Sequence, residues 1–172
     1  SEYDSINSII KNTSLYIDST NDITGVEILS VLKNIYALVI GVVDAKYNSP
    51  NTRFMILTKA FSEIRVFLSM LNGKDDTLFL ACGFGDLCMT SLHDLSRNRT
   101  LGLLVGKGFF NSDYRSNAVI LEGLNSIQIL RDLLDEDQME RLPIFNKVYS
   151  YFKNPANSKI EFYYSEFIDY NK

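Results

Sequence analysis

The stretch at residues 35–43, Ile-Tyr-Ala-Leu-Val-Ile-Gly-Val-Val, constrains the fold more than any other feature, because it is apolar whichever way a helix is turned. Such a helix is costly in water unless neighbours cover every face. The run is about half of the roughly 20 residues needed to cross a bilayer, so it predicts the central helix of a bundle rather than a membrane span. Composition agrees: a chain of 172 residues, 46% hydrophobic and 22% charged, can bury a core of its own without disulfides or metals.

Start and stop signals divide the rest. Thr24 and Glu27 have the spacing of a capping box, and Ile23 and Ile28 can form the hydrophobic staple around it, which predicts a helix over 25–47. Ser49-Pro50 offers a cap followed by proline at the first helical position, and Gly73 offers a stop. Between them Phe54, Leu57, Phe61, Ile64, Phe67, Leu68 and Leu71 trace one stripe, predicting a second long helix antiparallel to the first. Further helices are expected over 4–17, over 86–96, from Ser116 through Leu134, over 136–141 and from Ile144 through Tyr151, with Pro143 separating the last two. Residues 77–82 read as either a strand or the start of a helix, and residues 100–110 as a short strand and turn around Gly106-Lys107-Gly108. In the tail, Ser158 and Glu161 form another capping box, and Ile160, Tyr164, Phe167 and Ile168 share a helical face, so a helix is predicted over 159–170. The expected fold class is all-α: a single domain over 1–172, a bundle of about six or seven helices.

Candidate chemistry is sparse. Cys82, Cys88 and His93 hold both thiols and the only histidine, but their spacings are not those of a zinc knuckle, and Cys88 and His93 fall about 140° apart on a helix. Ser91, His93 and Asp94 include the residue types of a hydrolase triad without its convergence from separate elements. Residues 102–108 resemble a phosphate loop, yet three residues separate the first glycines where four are needed, and Gly108 follows Lys107 where a hydroxyl should stand. No catalytic, metal or cofactor set is therefore expected.

Charge and aromatic distribution point elsewhere. The net charge of −4 disfavours nucleic acid and anionic lipid as partners. Locally, Arg97, Arg99 and Lys107, with Arg115, form a basic stretch suited to an anion or an acidic partner. The last quarter is crowded with Tyr163, Tyr164, Phe167, Tyr170 and other aromatics, residue types enriched where proteins meet. The function expected is a non-enzymatic regulator, an inhibitor, adaptor or immunity-type binder of another protein, with a homodimer as a further option. The alternative is a helical ligand-sensing domain whose apolar pocket lies near Leu38 and Phe67. With no basic, apolar leader pattern and two cysteines, the expected location is the cytoplasm.

Overall fold

The computed structural model describes residues 2–109, 118–154 and 160–163. Among them run eight α-helices and no strand: α1 (Glu2–Ile10), α2 (Ile23–Tyr47), α3 (Pro50–Met70), α4 (Asp86–Leu92), α5 (Arg97–Gly106), α6 (Ala118–Asp132), α7 (Glu136–Glu140) and α8 (Pro143–Lys153). The all-α class is as expected. A 3₁₀ turn (Asp75–Phe79) and a π turn (Ala81–Gly85) join α3 to α4.

Helix α2 is the axis of the fold. Thirteen of its residues are buried, among them every one from Ile35 to Val43. It is long and apolar enough to cross a membrane by composition, but here α3, α4 and α5 pack around it. Its start differs from the expected capping box: Asp22, not Thr24, is the cap, and its Oδ1 accepts from the Gly25 amide at 3.0 Å. Asp22 prevails because its other oxygen also accepts from the Lys74 amide at 2.8 Å and the Thr77 hydroxyl at 2.6 Å, tying three segments together. Helix α3 starts as expected, with Ser49 accepting from the Thr52 amide and Pro50 in the first turn.

The expected strand at 100–110 is instead helix α5. Ser96 caps it by accepting from the Arg99 amide, and small residues let it lie directly on α2. A Cβ on Gly41 would stand 2.1 Å from the Arg99 carbonyl oxygen, and one on Gly102 would stand 2.0 Å from that of Leu38. Glycines that weaken a strand here permit a backbone-to-backbone helix crossing. Residues 77–82 are neither strand nor α-helix but the two irregular turns. Gly83 makes these possible, since a Cβ there would lie 2.2 Å from the Leu78 carbonyl oxygen.

Pro143 separates α7 from α8 as expected, and α8 buries Ile144, Phe145, Val148, Tyr151 and Phe152. Phe145 meets Phe67 edge-on with centroids 4.9 Å apart, so the space expected as an apolar pocket beside Phe67 is filled. The helix predicted over 159–170 falls mostly outside the described residues; within them, 160–163 are not helical, and Ile160 and Phe162 alternate inward. The cap expected at Ser116 also lies outside them.

Candidate functional site

Polar residues interrupt the apolar surface of α2 at Lys33 and Asn34, and the fold brings distant groups to both. Lys33 pairs through Nζ with Asp86 Oδ2, each side chain 24% exposed. Asp86 opens α4, and one turn on, Thr90 Oγ1 donates to Asp86 Oδ1 at 3.2 Å, fixing the carboxylate from its second oxygen. Asn98 Nδ2, in the first turn of α5, donates to Asn34 Oδ1 at 2.8 Å, while Asn34 Nδ2 donates to the Ser30 carbonyl at 3.2 Å. The amide orientations are thus set by two bonds in series.

Arg97 sits beside Asn98 at the start of α5. It is exposed, and no carboxylate among the described residues pairs with it. Asn34, Arg97 and Asn98 form the polar side of a cleft of about 140 Å³, whose opposite wall is Leu38, Leu124 and Phe152. A shallower groove carries Thr90, His93, Arg97 and Asn98 along one surface. Lys33 and Asn34 are successive residues of α2, about 100° apart around its axis, so the ion pair and the cleft occupy adjoining faces. The assembly combines a half-open ammonium–carboxylate pair, capable of exchanging a proton with a ligand, with a free guanidinium and two amides suited to a bound anion.

The expected basic stretch is divided by the fold. Arg97 faces the cleft, but Arg99 is buried, bonded to Asp44 at 2.8 Å and Asp94 at 2.7 Å. Lys107 is exposed at the far end of α5. Tyr163 is about half exposed and its hydroxyl bonds to Glu161, whereas Tyr164, Phe167 and Tyr170 lie outside the described residues. His93 lies on an exposed turn, where Nδ1 accepts from the Leu95 amide at 3.2 Å. Burial pushes the thiols of Cys82 and Cys88 up from their ordinary range, away from nucleophilic reactivity.

Of this site, only Arg97 was legible as a candidate. Lys33, Asn34, Asp86, Thr90 and Asn98 were missed, because their relation spans 53 residues for one pair and 64 for the other. The signal that could have found the first two is the only adjacent polar pair within an otherwise apolar helix core.

Comparison with known proteins places the chain in a family. Residues 22–160 match the family described as NAD-dependent glycerol-3-phosphate dehydrogenase C-terminus. The chain belongs to that family. The glycerol-3-phosphate dehydrogenase (NAD(P)+) of Methanothermobacter thermautotrophicus is 34% identical over 159 residues, 92% of this chain and 47% of that protein. The enzyme of the same name from Teredinibacter turnerae is 35% identical over 141 residues, 79% of this chain and 42% of that protein. A crystal structure of glycerol-3-phosphate dehydrogenase from Coxiella burnetii superposes with a TM-score of 0.71 at 26% identity, over 90% of this chain and 48% of that one. The chain therefore spans about half the length of these relatives.

Membership in an oxidoreductase family overturns the expectation of a non-enzymatic inhibitor, adaptor or immunity-type regulator, and with it the ligand-sensing alternative. The reasoning sought chemical groups close in sequence, whereas the candidate groups of this site stand on α2, α4 and α5 and meet only after these helices pack.

Proposed function

We propose that this chain is the substrate-binding half of an enzyme that interconverts glycerol 3-phosphate and the corresponding ketone. The observation that carries this reading is the half-open Lys33–Asp86 pair, bonded to Thr90, which shares a groove with Arg97, a guanidinium with no carboxylate partner among the described residues. Oxidising a secondary alcohol removes a hydride from carbon and a proton from oxygen. The Lys33 side chain, aimed by Asp86 and Thr90, hydrogen-bonds the reacting oxygen: as the ammonium it gives that oxygen a proton when ketone becomes alcohol, and as the neutral amine it takes the proton back when the alcohol is oxidised. Arg97, with the Asn34 and Asn98 amides, holds the phosphate dianion.

The dinucleotide named for the relatives would supply the hydride acceptor. The glycine-containing stretch 102–106 offers its pyrophosphate no loop, because it is helix packed against α2. We assign its binding to the part of those relatives outside the matched half. The same reading puts the protein in the cytoplasm, with which the free thiols of Cys82 and Cys88 agree.

The test is formation of NADH from glycerol 3-phosphate and NAD+ by the intact protein carrying this chain. Lys33→Met is expected to lower kcat by about 10²–10⁴ with little change in KM. Arg97→Ala is expected to raise KM roughly 10–100-fold, the loss of one charge-assisted interaction. An unaltered kcat in Lys33→Met would refute the role assigned to the lysine, and absence of any NADH formation would refute the reaction.

A further inference from the structure

One buried titratable group takes no part in the proposed chemistry. Glu63, on α3, is 5% exposed, and its carboxylate receives three donors from two other helices. Tyr36 Oη on α2 donates to Oε2 at 2.9 Å, the Phe145 amide donates to Oε2 at 3.0 Å, and the Ile144 amide donates to Oε1 at 2.5 Å. The last two belong to the first turn of α8, whose Leu142 cap offers no side-chain acceptor. Glu63 therefore serves as the missing N-terminal cap of α8 from another helix. At the opposite end of α8, Phe152 walls the cleft that holds Asn34, Arg97 and Asn98.

We propose that Glu63 is a positioning residue for this cleft: its charge state governs how firmly α8 is seated, and through Phe152 the affinity for the phosphate end of the substrate. The ligand in this statement rests on the function proposed above. The groups that face Glu63 are Tyr36 from α2, Lys59 on α3 and Arg141 just before α8; the last two share a groove of about 160 Å³ with it. Lys147 of α8 is directed away, donating to the Glu161 carbonyl at 2.7 Å. Burial pushes the Glu63 carboxyl up to about 7, outweighing the opposing influence of its three hydrogen bonds.

The direction of the effect follows from that balance. Below the ordinary carboxyl range, near 4.5, the acid is neutral whether α8 is seated or lifted, and seating is firmest. As pH rises from there to about 7, the lifted form, in which water entering from the Lys59–Arg141 groove solvates the carboxylate, gains on the seated one, and above about 7 the balance levels off. Cleft affinity is therefore highest on the acid side.

The experiment combines hydrogen exchange of α8 with calorimetric binding of glycerol 3-phosphate to the intact protein, from about pH 5 to about pH 8. In the wild type, α8 exchange, corrected for its intrinsic pH dependence, is expected to accelerate. The ratio of the wild-type Kd to that of Glu63→Gln should rise by no more than about tenfold per pH unit, the limit for one proton. In Glu63→Gln the exchange is expected to stay flat across this range and the Kd to follow only the second ionisation of the substrate phosphate, near pH 6. Tyr36→Phe, which removes one donor to the ionised form, should move the transition to higher pH and serves if the glutamine variant does not fold. Equal exchange slopes in the wild type and these variants would overturn the proposal. An exchange transition unaccompanied by any change in Kd would overturn the coupling to the cleft. If the protein binds glycerol 3-phosphate yet forms no NADH, the proposed reaction fails while the Glu63 proposal stands.

Discussion

Substituting Gly41 by alanine tests the mechanism by which the fold builds the site. The added Cβ would lie 2.1 Å from the Arg99 carbonyl oxygen and 2.9 Å from both Gly102 Cα and the Leu103 amide nitrogen. All three are backbone atoms, so no side chain can rotate out of the way. A carbon approaches a carbonyl oxygen to about 3.4 Å in ordinary contact, so α5 must recede by about 1.3 Å. Overpacking of this kind costs about 1–3 kcal/mol, and a site bounded by backbone belongs at the upper end. The 2.8 Å bond from Asn98 to Asn34 would stretch beyond bonding distance and contribute about 1 kcal/mol more. For a chain of this size a loss of about 3–4 kcal/mol lowers the thermal midpoint by roughly 6–16 °C, read by the helical circular dichroism signal. Gly123→Ala is the control: nothing lies within 4 Å of its Cβ position on α6, so the variant should be equal to the wild type or more stable by about 0.5–1 kcal/mol. A Gly41→Ala midpoint matching that of the wild type would show that α2 and α5 are not in backbone contact, and the account of how Asn98 reaches Asn34 would fall with it.

Two further outcomes follow from the same packing. Asp44 is 5% exposed and binds both Arg99 and Arg53, so Asp44→Ala leaves a buried guanidinium short of its partner; a loss of about 3–5 kcal/mol in denaturant unfolding is expected, and one under about 1 kcal/mol would contradict the closed pair. At Asp22, the Thr77 hydroxyl first, then the Lys74 and Gly25 amides, hold the carboxyl below its ordinary range. A depressed carboxyl contributes stability that is present above its unfolded value, near 4, and is lost as pH falls through its folded one. Asp22→Asn should therefore be less stable than the wild type at neutral pH, and the difference should shrink in acid; a pH-independent difference would exclude this origin.

Those elements whose cause is local were legible in the sequence. The apolar run at 35–43, the Ser49-Pro50 start of α3 and the break at Pro143 each depend on neighbouring residues alone, and each stands where expected. The failures share a different character. Asp22 displaced Thr24 as cap because it serves Lys74 and Thr77 as well, partners about 50 residues away. The strand expected at 100–110 became α5 because Gly102 and Gly106 answer to α2, not to their own segment. Arg99 counted toward a basic patch until Asp44 turned it inward. In every case tertiary partners decided between local options that were close in energy.

The polar residues of α2 show why charge in such a sequence does not by itself reveal a site. Between Val31 and Ala45 the charged residues are Lys33 and Asp44, and each makes an ion pair with another helix, so composition treats them alike. Their surroundings differ. Asp44 is closed over by two arginines and is 5% exposed, which leaves no route for a ligand and gives the pair a structural role, holding α3 and α5 against α2. Lys33 and Asp86 each keep 24% of their surface open, next to amides and a guanidinium without a carboxylate partner. An ion pair that water reaches contributes little to stability, and its partners stay free to exchange protons with whatever binds beside them. Retaining a charge at Lys33 in the most apolar helix of the fold therefore adds little stability, which fits the ligand contact proposed for that side chain.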